Sequence, residues 1–144
     1  MPGGKSGKLK ILVVEDDFMV RQVIRDIVEP YGAVDLTVNG EEAVQAFRVA
    51  WRKDEPYDFI CMDIMMPVMD GNEALIQIRE IERGLGIAGP EEVKVIMITA
   101  LDDAKTVVKA YSKGGATSYI VKPIEKDRLV SEMRDIGLTP HKGG

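Results

Sequence analysis

Acids, a hydroxyl and an amine recur in this 144-residue chain at the ends of short apolar runs. "KILVVE" (10–15) leads into Asp16 and Asp17, "YDFICMD" (57–63) ends in Asp63, "VKVIMIT" (93–99) in Thr99 and "TSYIVK" (117–122) in Lys122. Three carboxylates crowded together repel, and raise one another's pKa unless something cationic intervenes. A hard divalent ion is the natural remedy: Mg2+ takes oxygen ligands in an octahedron, keeps waters and needs only one or two protein carboxylates. Lys122 adds a positive charge for Asp63 or for an incoming oxyanion, and Thr99 adds a hydroxyl donor. Such a set suits a phosphoryl group, whose charge metal and ammonium offset while one carboxylate acts as nucleophile. Each residue also has a plain structural reading. Asp16 and Asp17 suit the cap of a helix beginning near Phe18, Asp63 a loop, Thr99 an ordinary strand end and Lys122 a solvated surface. The ordered set as a whole favours chemistry.

These residues need a scaffold that brings them to one place. A further run, "AVDLTV" (33–38), makes five apolar or β-branched segments, mostly unbroken as in strands buried on both faces. Helical periodicity fills the gaps. Val20, Val23, Ile24, Ile27 and Val28 form one stripe, stopped by Pro30, and Ala43, Ala46, Phe47, Ala50 and Trp51 form a second. Ala74, Leu75, Ile78 and Ile81 form a third, Ala104, Val107, Val108 and Tyr111 a fourth, and Leu129, Met133 and Ile136 mark a last helix over 125–136. Five strands alternating with five helices predict βα units and a parallel sheet with right-handed crossovers. In such sheets ligands collect at the C-terminal strand ends, which is where the acids, Thr99 and Lys122 fall. Asn39-Gly40 reads as a turn into a helix.

Composition limits the alternatives. The chain has 45% hydrophobic and 30% charged residues and a net charge of −5, which argues weakly against nonspecific nucleic-acid binding. One cysteine, Cys61, permits no internal disulfide and fits a reducing, cytoplasmic setting. "MPGGKSGKLK" lacks the apolar core of a signal peptide, and no run approaches the roughly 18 residues of a membrane span. Two phosphate-loop look-alikes fail on context. Gly84 to Gly89 spells G-x-G-x-x-G, but a helix precedes it and Pro90 follows, the reverse of a dinucleotide fingerprint. "GGKSGK" has no strand leading in. His141, the only histidine, sits in the tail and gives no histidine-based site.

The segments "ILVVEDD", "NGEEAV", "DIMMPVMDG", "VIMITA" and "SYIVKPI" together resemble the receiver domain of two-component response regulators. Asp63, Met66, Pro67, Met69, Asp70 and Gly71 fulfil its D-x-x-M-P-x-M-D-G string. The resemblance spans about Lys8 to Ile136. It implies a (βα)5 doubly wound, flavodoxin-like sheet of strand order 2-1-3-4-5, with a receiver over 8–137 and flexible ends at 1–7 and 138–144. It implies Asp63 as phosphoryl acceptor from a sensor histidine kinase or phosphotransfer protein. Mg2+ would be held directly by Asp17, Asp63 and the Met65 backbone carbonyl, with Asp16 reaching it through water. Lys122 and Thr99 would contact the phosphoryl group, Thr99 and Tyr119 would form a switch pair, and Lys122-Pro123 would be a cis peptide. Ala100, small and next to Thr99, would leave the acceptor accessible.

Some features depart from that pattern or go beyond it. The Gly84–Glu92 connection is long and glycine-rich, and reads as a contact surface away from the acids. Met65 and Leu101, both apolar, stand two residues after the acceptor and the threonine, where the family flanks the attacking water; this predicts a long phosphoryl lifetime. Lys105, Lys109 and Lys113 form a basic stripe beside the fourth-helix, fifth-strand, fifth-helix face, a surface for a downstream target or a second copy. No output domain is read after Ile136, so the chain is expected to act alone or as a fragment. An aspartyl-phosphate phosphohydrolase would place D-x-D at the first strand, unlike the order here. An unphosphorylated binding module is disfavoured because no member of the set is missing.

Overall fold

The computed structural model describes residues 8–100 and 115–141. The expected helix over 104–111, its three lysines and Leu101 lie outside them. Strand β1 (Leu9–Val14) leads to helix α1 (Phe18–Val28), then β2 (Gly32–Thr37), α2 (Gly40–Arg52), β3 (Phe59–Asp63), α3 (Gly71–Gly84), β4 (Lys94–Thr99), β5 (Ser118–Val121) and a C-terminal helix (Lys126–Asp135). The strands form one sheet of order β2-β1-β3-β4-β5, parallel throughout. The expected topology therefore holds, with four α-helices among the described residues.

Two apolar layers clothe the sheet. On one face Leu12, Val14, Ile60, Met62, Val95 and Met97 pack with Ala43 and Phe47 of α2 and Leu75 and Ile78 of α3. On the other, Ile11, Val13, Phe59, Cys61, Ile96 and Ile98 pack with Ile24 and Val28 of α1 and Leu129 and Met133 of the last helix. Alternate residues of each central strand feed alternate faces, so both must be apolar, which explains the unbroken runs. The exception is β2, one of the two outer strands, whose side chains are exposed or half-buried throughout. Val23, placed by periodicity in the α1 core stripe, is 45% exposed.

The starts of α1, α2 and α3 are fixed by side-chain caps. Asp17 accepts from the Val20 N–H, Asn39 from Glu42 and Asp70 from Glu73, at 3.0, 2.9 and 2.8 Å. Glu42 also accepts from the Val38 N–H at 3.0 Å, a reciprocal cap that fixes the entry to α2. The tail is not frayed from 138, as the sequence suggested. Leu138 is buried in the second layer, its N–H donating to the Met133 carbonyl, and the His141 N–H donates to the Pro30 carbonyl.

Candidate functional site

Because every strand runs the same way, all the C-terminal strand ends share one rim. Register then decides which side chains meet there. Val14 pairs with Met62, so the residue after Val14, Glu15, comes level with Asp63. Asp63 pairs with Ile98, one residue before Thr99, and Thr99 pairs with Val121, one before Lys122. The Lys122 N–H donates to the Thr99 carbonyl at 2.7 Å.

The acidic group that results is Glu15, Asp16 and Asp63, which offer carboxylate oxygens all within 4.8 Å of one another. Asp16 and Asp63 are thus brought together as expected. Asp17 is not part of this group: its Oδ1 caps α1, and its own N–H donates to Glu15 Oε2 at 3.0 Å. With Asp17 at the cap, the third member of the group is Glu15. That residue was read as the end of the strand and not as part of the site; the register between β1 and β3 is the signal that identifies it. Arg21, also unremarked in the sequence, donates to the Glu15 carbonyl at 2.8 Å and reaches the Asp16 carbonyl at 3.4 Å, tying down the backbone that carries both acids.

Lys122 Nζ donates to Asp63 Oδ2 at 3.2 Å and lies 3.5 Å from Glu15 Oε1. Glu15 is fully buried, and its Oε1 makes no hydrogen bond among the described residues. Burial pushes the Glu15 carboxyl up to about 7, helped by the Asp63 charge and opposed by the Asp17 N–H and Lys122. Burial likewise lifts Asp63 above the ordinary carboxylate range, against the charge and hydrogen bond of Lys122. Burial works to lower Lys122, but the charges of Asp63 and Glu15 outweigh it and hold the ammonium above its usual range. One lysine is too little cation for two buried carboxylates and a third beside them. An enclosed oxygen without a donor and a cluster of hard ligands fit a divalent ion.

The loop after Asp63 is held from both sides. Ile64 N–H donates to the Ile98 carbonyl, Gly71 N–H to the Ile64 carbonyl and Gly40 N–H to the Met69 carbonyl, at 2.9, 2.8 and 2.9 Å. A Cβ on Gly71 would strike the Asp63 carbonyl oxygen and sit 2.9 Å from Ile64 Cα; one on Gly40 would sit 2.6 Å from the Met69 carbonyl oxygen. Both glycines are therefore close-approach positions, and Gly40 does more than turn the chain. Val68 lies at φ 70°, a left-handed conformation costly for a β-branched residue. Thr99 is buried, its hydroxyl donating to the Ala100 carbonyl at 3.3 Å. Tyr119, beside Met97 on β4, is half-buried against the α2/α3 layer. The Lys122-Pro123 peptide is cis. Met65 is exposed on the rim.

Residues 11–134 match the family model described as response regulator receiver domain. The chemotaxis protein CheY of Halobacterium salinarum is 32% identical over 128 residues, 88% of this chain and 95% of that protein. Among solved structures, the receiver domain of sensor histidine kinase PA1611 from Pseudomonas aeruginosa, with a magnesium ion coordinated in its active site cleft, superposes with TM-score 0.72 and 28% identity. That match covers 91% of this chain and 99% of that one. The receiver domain of Ssk1, in complex with the Saccharomyces cerevisiae histidine phosphotransfer protein Ypd1, gives TM-score 0.75 at 27% identity, covering 91% of this chain and 90% of that one. The model match over most of the chain, the sheet order and these relatives lead to one conclusion: this chain belongs to the response regulator receiver domain family of two-component systems.

Proposed function

We propose that the chain is a phosphorylation switch in which Asp63 takes a phosphoryl group from a phosphohistidine on a sensor kinase or phosphotransfer protein. One carboxylate oxygen attacks phosphorus in line, the P–N bond breaks with its electron pair returning to the imidazole, and an acyl phosphate remains on Asp63. The observation that carries this reading is the buried Asp63 carboxylate, 3.2 Å from the Lys122 ammonium and within 4.8 Å of Glu15 and Asp16 oxygens. Asp16 and Asp63 would hold Mg2+ directly with the Met65 carbonyl, and Glu15 through water. When bound, the ion supplies positive charge to the oxygens of the transferring group. Lys122 leaves its ion pair to bind a phosphoryl oxygen. Thr99 turns its hydroxyl from the Ala100 carbonyl to another, and Tyr119 moves inward behind it.

The readout surface is the fourth-helix, fifth-strand, fifth-helix face next to Tyr119, offered to a downstream protein or a second copy. Phe18, Met19, Met65 and Val68, all more than half exposed around the acceptor, suit docking of the phosphodonor. The magnesium-bound PA1611 receiver and the Ypd1 complex of the Ssk1 receiver support metal and donor class. The switching unit runs from Lys8 through Leu138, in a cytoplasmic setting; among the described residues no helix is long and apolar enough to cross a membrane.

The test is intact mass after incubation with Mg2+ and acetyl phosphate. A single phosphoryl adduct that needs the metal and is absent from Asp63→Asn is expected. Continuous turnover of an external phosphoester without an adduct would reject the switch in favour of a hydrolase.

A further inference from the structure

A second concave site lies on the opposite rim, where β3 and β4 begin. It is a groove of about 580 Å³ between the end of α2, the Gly84–Glu92 connection and the C-terminal residues 136–138. Five residues of β3, roughly 15 Å at about 3.3 Å each, separate it from Asp63. We propose that this groove docks an arginine- or lysine-bearing segment of a partner protein.

Its floor is apolar and only half-buried, formed by Trp51, Ile87 and Ile136. The Trp51 indole N–H is enclosed and has no acceptor among the described residues. A pocket for a free small molecule buries 70–90% of its ligand; an open floor of this kind suits side chains of a bound peptide.

Charge sets the chemistry of that peptide. Of the lining carboxylates, Glu82 is neutralised by Arg79 at 2.7 Å and by the Val93 N–H, and Asp58 accepts from the Lys10 N–H. Glu91 and Glu92 stand on the rim, and neither carboxylate has a partner among the described residues. Among the described residues, Lys94 is the one cationic side chain in the lining. An arginine or lysine fits this arrangement in two parts: its aliphatic stem covers the indole face and its charged head reaches Glu91 and Glu92. Docking there leaves the Asp63 rim uncovered, so a partner could stay attached through the phosphorylation cycle.

Trp51 is the only tryptophan in the chain and reports directly on the groove. The probe is a six-residue peptide alternating arginine and leucine, added with Mg2+ present to occupy the acidic rim. A saturable change in Trp51 emission is expected, absent for the same peptide with glutamate in place of arginine. The double variant Glu91→Gln/Glu92→Gln, at exposed or half-exposed positions and checked for unchanged melting, should weaken binding by about fivefold and leave the Asp63 adduct unaffected. No saturable response, or equal affinity in the double variant, overturns the proposal whatever happens at Asp63.

Discussion

Glu15 carries the sharpest residue-scale consequence. Its carboxyl, normally near 4.5, is raised to about 7 by burial and by the neighbouring Asp63. Between those values the folded, metal-free protein keeps a proton that the unfolded chain has released. Stability of the metal-free protein therefore falls as pH rises through that window, and stays lowered above it. A divalent ion binds the ionised form, so Mg2+ affinity should rise several-fold from about pH 6 to about pH 8. Glu15→Gln should flatten both trends, measured by thermal melting and by calorimetric Mg2+ titration; an unchanged pH dependence in that variant would remove Glu15 from the site. Asp63 and Lys122 were legible in the sequence because each ends its run in a side chain foreign to a buried strand. Glu15 ends its run in the same way, but two further acids follow it and offered themselves as the ligands. With three acids in a row, only the pairing of Val14 with Met62 tells which one faces Asp63.

At the scale of elements, the loop between β3 and α3 decides how the Asp63 carboxylate is presented. Gly71 has no room for a side chain, because its Cβ would meet the backbone of Asp63 and Ile64. Gly71→Ala should cost about 2 kcal/mol by overpacking and slow adduct formation beyond what lost folding explains, read by denaturant unfolding beside the adduct rate. Wild-type stability would show that the loop yields freely. Helix and strand order was readable because long periodic stripes and buried runs are set by the core alone. What periodicity could not supply was context. β2 looked like the other strands until its place at the edge left it half-solvated, and Val23 shared a stripe with Ile24 but faces outward. Leu138 is a single apolar residue in a polar tail, with no pattern to mark it as core.

Across the whole molecule, the two rims are held by different means. The Asp63 rim keeps uncompensated negative charge on buried carboxylates, whereas the far rim pairs its buried carboxylate, Glu82, and among the described residues leaves only the surface acids Glu91 and Glu92 free. There Glu82, 1% exposed, pairs with Arg79 at 2.7 Å and accepts from the Val93 N–H at 2.7 Å, while Arg79 also donates to the carbonyls of Val93 and Gly115. This network joins α3, the start of β4 and the approach to β5. Glu82→Ala leaves the mostly buried Arg79 guanidinium without its carboxylate and should cost about 3 kcal/mol, seen as a lowered denaturation midpoint, with Mg2+ affinity per folded molecule unchanged. A loss of metal affinity as well would mean that the rims are not independent. At the other end of the sheet, the proposed switch requires a dication among the carboxylates that converge there from separate strands. Crystals soaked in Mn2+ as a Mg2+ surrogate test this most directly through the ion's anomalous scattering. A single peak in contact with Asp16 and Asp63, and not with Asp17, is the result expected; a peak elsewhere, or none at this rim, would contradict it.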